Sequence, residues 1–304
     1  MHKIISFDGG GIRGVLTAAV LERLAAAHPS LIGNATLLAG TSTGGLIALG
    51  LANGMTPSAL RQLYQDSGPA IFDDSGRISV GGKLWSKYSN DNLKETVSGL
   101  FGGLRLGGLA KEVLVPSFDL DSDLIKDTPA RSWKPKFFTN RPGDPDCNEL
   151  VADVAMRTSA APSIFPIYKG YIDGGVVANN PSIAALAQAL KPCPGQPKVA
   201  TIGDVLLLSL GTGISFRWID SMDADWGAFD WIRDGRILDI MLEGVGDVAD
   251  FQCQQLLDDR YNRVAPVLPS VVDLDDDSKI DYLIDYAKTV EIGLTLAWLA
   301  RVAW

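Results

Sequence analysis

Histidine is almost missing from this chain: His2 and His28 are the only two in 304 residues. Basic residues are also the minority, with 27 Lys and Arg against 36 Asp and Glu, a net charge of −9. Partners held through phosphates need a clustered basic face, so this balance argues against nucleic acid. The three cysteines, Cys147, Cys193 and Cys253, are far apart and lack C-x-x-C spacing. With so few histidines they do not complete a metal site, so they read as free thiols and no metal or other cofactor is called for. Met1-His2-Lys3 runs straight into Ile4-Ile5-Ser6-Phe7, without the charged region, long apolar stretch and cleavage site of a signal peptide. A reducing, cytoplasmic setting is expected. Residues 29–60 carry no charged side chain, but Pro29, Gly33, Asn34, Gly40, Gly44, Gly45 and Asn53 interrupt them, which excludes a membrane-spanning helix.

Glycine is abundant, 32 residues, and 46% of the chain is hydrophobic. A folded, turn-rich protein follows, long enough to bury roughly three quarters of its unfolded surface. Ile4 to Phe7 reads as a strand, Asp8 to Gly11 as a glycine loop, and Gly14 to Ala27 as a helix through Leu16, Val20, Leu21 and Leu24. Ala35 to Ala39 repeats the strand, Gly40 to Gly44 the turn, and Gly45 to Ala52 the helix, closed by Asn53-Gly54. Two βα units in succession predict a parallel sheet. Pro57 to Gln65 reads as a further helix, and Gly76 to Gly108 as mixed, loop-rich chain. Val113 to Asp119, Lys136 to Thr139, Tyr168 to Ile172 and the almost wholly apolar Val205 to Leu210 read as strands, the last covered on both faces. Leu150 to Arg157, Pro181 to Leu190 behind an Asn180 cap, and Ile237 to Leu257 read as helices, with one C-terminal helix running to Trp304. The three prolines in Lys191 to Lys198 suggest a linker, yet the strand that follows fits the same sheet. A single domain over residues 1–304 is expected, with a catalytic core at about 4–190 and residues 191–304 completing the sheet and adding helices.

Gly40-Thr41-Ser42-Thr43-Gly44 lies between an expected strand and an expected helix, the setting of a nucleophile elbow. There a tight backbone lifts a serine hydroxyl above the strand ends, with a helix N-terminus behind it. Ser42 is the candidate nucleophile; the alternative is a chance match in a glycine-rich chain. Asp8-Gly9-Gly10-Gly11-Ile12-Arg13-Gly14 fits the dinucleotide pattern G-x-G-x-x-G, but no Asp or Glu stands between Glu22 and Asp66 to hold a ribose. Val15-Leu16 after Gly14 also excludes a P-loop. What survives is a tight turn, or a loop whose backbone N–H groups stabilise an oxyanion beside Ser42.

A serine nucleophile needs a base. His2 precedes the glycine loop by a whole strand, and His28 lies past a helix of about 14 residues, roughly 21 Å away. Catalytic groups in parallel sheets gather at the carboxyl ends of strands, so a Ser-His-Asp triad is excluded. Asp173 ends a strand and enters a Gly174-Gly175 turn, and a carboxylate in a water-poor site can act as base to serine. Its alternative reading is a plain Asp-Gly turn.

Asp8-Gly9-Gly10-Gly11-Ile12-Arg13-Gly14, Gly40-Thr41-Ser42-Thr43-Gly44 and Asp173-Gly174-Gly175, in that order, resemble the three signatures of the patatin-like phospholipase family. The resemblance runs from about Ile4 to Leu190, and Leu208-Ser209-Leu210-Gly211-Thr212-Gly213 is similar to a further family element. It implies an α/β fold, a three-layer α/β/α sandwich with a mainly parallel central sheet. It also implies calcium-independent hydrolysis of lipid acyl esters by a Ser-Asp dyad. By the resemblance Ser42 is the nucleophile, Asp173 the base, the N–H groups of Gly10 and Gly11 the oxyanion hole, and Arg13 the basic residue of that loop. Gly175 replaces an alanine common in the family. The substrate would be a phospholipid or other acyl lipid met transiently at a membrane surface, and a homodimer is an open expectation. The family also includes antiphage effectors switched on by cyclic nucleotides, which is the second reading, and a non-catalytic lipid binder is the third.

Other features carry less. Asp273, Asp275, Asp276 and Asp277 fail the EF-hand count, with Ser278 and Ile284 where glycine and glutamate belong. Asp119, Asp121 and Asp123 fail it too, so both groups read as solvated loops or caps. Trp218, Trp226, Phe229 and Trp231 suit either a lipid-facing lip or ordinary core. Trp298, Leu299, Val302 and Trp304 suit packing on the domain or in a dimer better than contact with a membrane.

Overall fold

The computed structural model describes residues 1–73, 86–121, 132–191, 201–219, 225–232 and 236–304. Its strands are β1 (His2–Phe7), β2 (Leu37–Gly40), β3 (Glu112–Asp119), β4 (Lys134–Thr139), β5 (Tyr171–Asp173), β6 (Val205–Leu210) and β7 (Tyr261–Val264). They form one sheet in the order β4-β3-β2-β1-β6-β7, with β5 on β3. β1 pairs in parallel with β2 and β6, as do β2 with β3 and β6 with β7, whereas β4 and β5 run antiparallel to β3.

Strand alternation divides the core into two layers. Ile5, Phe7, Leu38, Val113, Val115, Leu206 and Leu208 face one cluster with the helix Gly14–Ala27 and the C-terminal helices. Ile4, Leu37, Ala39, Leu114, Val205 and Leu207 face the other, with Ala185, Leu186, Cys253 and Leu257 of the helices Ser182–Leu190 and Arg236–Leu257. A sheet covered on both faces explains why β6 is apolar except at Ser209 and buried at every residue.

The register of β3 positions the site. β2 pairs with its first half, Glu112 to Leu114, and β5 takes its second half, Ser117 to Asp119. Since β4 occupies the opposite edge from Leu114 onward, β5 continues where β2 stops. Asp173 is thereby set beyond the carboxyl end of β2, where Ser42 also lies.

Several elements differ from the sequence expectations. The strand expected at Tyr168 to Ile172 is a tight hairpin: Lys169 and Gly170 have φ of 49° and 83°, and Tyr168 and Tyr171 exchange backbone hydrogen bonds of 3.0 Å. Only Tyr171–Asp173 joins the sheet. The loop-rich stretch around Gly76 to Gly108 contains a helix, Asp91–Phe101, that buries Leu93, Val97 and Phe101; residues 74–85 lie outside the description. The C-terminal helix is two, Ile280–Thr289 and Gly293–Arg301, separated where the Glu291 carboxylate accepts the Gly293 N–H. Pro181 precedes the helix Ser182–Leu190, and the Asn180 side chain accepts the Ser182 N–H at 3.0 Å. Trp298, Leu299 and Trp304 pack into the core, with the Trp304 indole donating to the Leu31 carbonyl at 3.0 Å. Trp218, at 82% exposure, and Trp231 are surface residues, Trp226 is half-buried, and residues 220–224 and the Phe229 side chain lie outside the described residues. Cys147 and Cys253 are free thiols, and burial pushes the Cys253 thiol up to about 12; Cys193 and the proline-rich residues 192–198 lie outside the described residues. Asp119 caps a turn by accepting the Asp121 N–H at 3.0 Å, and Asp123 lies outside the described residues. Among the described residues no helix is long and apolar enough to cross a membrane.

Candidate active site

The glycine loop leaves β1 at Asp8 and enters the helix Gly14–Ala27 through a single 3-10 turn at Gly11–Arg13. Gly11 has φ of 56°, and a Cβ there would strike the Leu274 carbonyl, so the position admits no side chain. Thr212 donates its hydroxyl to the Gly9 carbonyl at 2.9 Å, tying the stretch after β6 to the loop. Among the described residues no acceptor takes the N–H of Gly10 or Gly11.

Ser42 ends the turn after β2, with φ of 54° and ψ of −122° ahead of the helix Thr43–Ala52. That conformation is costly for any residue with a Cβ, by about 1–3 kcal/mol, and must be held by its surroundings. The Ser42 N–H donates to the Thr158 hydroxyl at 2.9 Å, and that hydroxyl donates to the Pro116 carbonyl at 2.6 Å. Gly44 approaches the Phe7 carbonyl so closely that a Cβ would collide with it, which draws the Ser42 turn against the glycine loop. Gly40 lies against the Gly44 carbonyl, Gly14 against Thr43 and Tyr64, and Gly174 against the Pro116 carbonyl.

The Ser42 hydroxyl faces the Asp173 carboxylate in the same cleft and favours its charged form. Asp173 is 4% exposed; its N–H donates to the Ala160 carbonyl at 3.0 Å and its Oδ1 accepts the Gly175 N–H at 2.7 Å. Burial pushes its carboxyl up to about 6, against the Ser42 hydroxyl and the Gly175 N–H, which favour the charged form. His2, beside Thr36 at the opposite end of β1, and His28, past the helix Gly14–Ala27, are both remote from this cluster.

Ser42, Asp173, Gly9, Gly10, Gly11 and Arg13 line one cleft, enclosing about 1180 Å³ including its open mouth. Its deeper wall is apolar, with Leu46, Ile71, Phe72, Val97, Leu100 and Phe165. Thus the structure brings the expected site residues together, except that Arg13 turns its guanidinium to the Ser215 hydroxyl, 3.4 Å away, beneath the charges of Glu243, Asp239 and Asp273. Thr158, Asn179, Leu242 and Arg263 carry no motif in the sequence that marks them for this site. Thr158 and Arg263 reach the site from far along the chain, and no local pattern marks them. Thr158→Val leaves the half-buried Ser42 N–H without its partner, so urea unfolding is expected to show a loss of about 1 kcal/mol.

The profile of the patatin-like phospholipase family matches residues 5–186. CotR of Bacillus subtilis is 36% identical over 230 residues, covering 74% of this chain and 67% of CotR. Patatin-like protein 1 of Arabidopsis thaliana is 28% identical over 313 residues, 86% of this chain and 73% of that protein. A cGAMP-activated phospholipase of Pseudomonas aeruginosa is 28% identical over 274 residues, 86% and 78%. A fold with a serine elbow, a glycine loop and a buried aspartate at one end of the sheet, together with a profile match across 5–186, leads to one conclusion: the chain belongs to the patatin-like phospholipase family.

Proposed function

We propose that the protein is a calcium-independent lipid acyl hydrolase of the phospholipase A or lysophospholipase type, acting through Ser42 and Asp173. The observation that carries this reading is the Ser42 hydroxyl facing a buried carboxylate in an apolar cleft, beside the Gly10 and Gly11 N–H groups, which have no acceptor among the described residues. Asp173 accepts the hydroxyl proton as Ser42 Oγ attacks the acyl carbonyl, forming a tetrahedral oxyanion against the Gly10 and Gly11 N–H groups. The C–O bond to the leaving alcohol breaks as Asp173 returns the proton to it. Water, deprotonated by the same carboxylate, then hydrolyses the acyl-serine to release fatty acid and restore Ser42. Phe216 and Trp218, at 66% and 82% exposure, support contact with a lipid surface. The free thiols support a reducing, cytoplasmic setting. One functional unit over 1–304 fits the approach of Leu242 to Gly175, since the later part of the chain covers the site.

The test is fatty-acid release from mixed phospholipid vesicles with EDTA present. Release is expected without added metal, and its absence under every condition from folded protein would remove the reading. A cyclic-nucleotide-gated effector is the second reading, supported by the similarity to the cGAMP-activated phospholipase; release only after a cyclic dinucleotide is added would select it. The pH dependence is a further expected result. Asp173 accepts a proton only when ionised, and its carboxyl lies at about 6. Hence kcat/KM should be level above pH 7 and fall about tenfold per pH unit below about 6.

A further inference from the structure

The helix Arg236–Leu257 roofs the cleft: Leu242 Cδ2 lies 2.7 Å from where a Gly175 Cβ would stand, while Asp173 Oδ1 lies 3.1 Å from that same point. Asp239 and Glu243, one turn apart on this helix, line the cleft beside Leu242. Asp239 is bonded to Arg217 at 2.8 Å, but among the described residues Glu243 has neither an ion pair nor a hydrogen bond. Across from them Arg13, only 8% exposed, lines the same cleft with its Nε buried and unpartnered. Its guanidinium senses Glu243, Asp239 and Asp273, yet none of these carboxylates comes within ion-pair distance. Burial raises the Glu243 and Asp239 carboxyls, so the neighbouring arginines do not compensate their charge fully. A buried cation and two carboxylates therefore face one space without closing on each other.

We propose that this space is a head-group subsite for zwitterionic phospholipids, in which Glu243 and Asp239 receive the ammonium and Arg13 the phosphate. The proposal rests on the acyl hydrolase reading, since it places the head group beside an ester held at Ser42. An anionic head group such as glycerol phosphate finds Arg13 but brings nothing to oppose Glu243, the carboxylate that Arg217 does not pair. A zwitterionic one satisfies both signs. Loss of one charge-assisted contact corresponds to about tenfold in discrimination.

Fatty-acid release is measured with the full chain on phosphatidylcholine and on phosphatidylglycerol vesicles, with p-nitrophenyl butyrate as an uncharged reference. The native protein is expected to prefer phosphatidylcholine by about tenfold or more. Glu243→Gln, which breaks no ion pair, should lower that ratio about tenfold, and Glu243→Lys should lower it further or invert it. A second measurement uses native protein alone: glycerophosphocholine should inhibit butyrate hydrolysis at lower concentration than glycerophosphoglycerol. If butyrate and both lipids are left intact, the hydrolase reading fails. If they are cleaved, but the ratio favours phosphatidylglycerol or ignores Glu243, the head-group proposal alone is overturned. Equal inhibition by the two glycerophosphodiesters overturns it equally.

Discussion

Replacing Ser42 by alanine is expected to lower fatty-acid release by about 10⁴-fold or more in kcat, and Asp173→Asn to come close to it, because nucleophile and base act as one unit. The double variant should then be scarcely worse than either single one. The stabilities should move the other way for the base. The Asp173 carboxyl is raised from 3.8 to about 6 by burial. Between those values the native state keeps a proton that the unfolded chain has released, so unfolding free energy falls as pH rises through this window. Above about pH 6 the full penalty applies, roughly 3 kcal/mol at about 1.36 kcal/mol per pH unit. Asp173→Asn carries no such charge and should melt higher than native protein at pH 8, with the advantage gone near pH 4. Ser42→Gly should also stabilise, by about 1 kcal/mol, since glycine accepts the φ of 54° without strain. Two inactive variants that are more stable than native protein would mark positions kept for chemistry. An active Ser42→Ala protein would dismiss the nucleophile assignment, and a less stable Asp173→Asn would dismiss the burial penalty.

What was legible in the sequence was local. β1, the glycine loop and the helix after it follow one another within 26 residues, as do β2, the Ser42 turn and its helix, so period and turn chemistry suffice. Asp173 was found because an Asp-Gly-Gly turn is visible wherever it stands, though its strand is only three residues long. The partners that make these residues a site come from elsewhere. β7 is a four-residue strand, Tyr-Asn-Arg-Val, with two residues only half-buried, and it joins the sheet solely through β6. The helix Asp91–Phe101 hides inside a glycine-rich stretch because its buried face is just Leu93, Val97 and Phe101. Arg13 was legible as a loop residue, but the direction of its guanidinium depends on Ser215 and on a helix more than 220 residues later. Tertiary contacts of that kind leave no period to read.

Arg263→Met is expected to be the most damaging single substitution outside the dyad. Arg263 on β7 reaches across β6 to Asp8 at the end of β1, with Nη2 2.6 Å from Oδ2 and Nη1 3.3 Å from Oδ1, and Nη1 also donates to the Ser209 hydroxyl at 2.7 Å. Asp8 is buried, and burial raises its carboxyl despite the guanidinium, while the guanidinium is raised further by Asp8. Removing the arginine strands a carboxylate in the core, which typically costs about 3–5 kcal/mol. The deficit should shrink in acid, because protonated Asp8 needs no counter-ion and a carboxyl held high makes the native state bind the extra proton. Asp8→Asn combined with Arg263→Met should recover much of the loss, and a urea-unfolding double-mutant cycle should yield a coupling of about 2–3 kcal/mol. Additive losses would mean that the pair carries no mutual stabilisation. The same variants report on turnover, because Asp8 immediately precedes Gly9, Gly10 and Gly11 and its N–H donates to the Leu210 carbonyl at 3.0 Å. If the ion pair anchors the oxyanion loop, kcat falls in Arg263→Met while KM changes little, and the double variant regains stability without regaining full kcat. Recovery of both together would reduce Arg263 to a stabilising contact with no part in placing the loop.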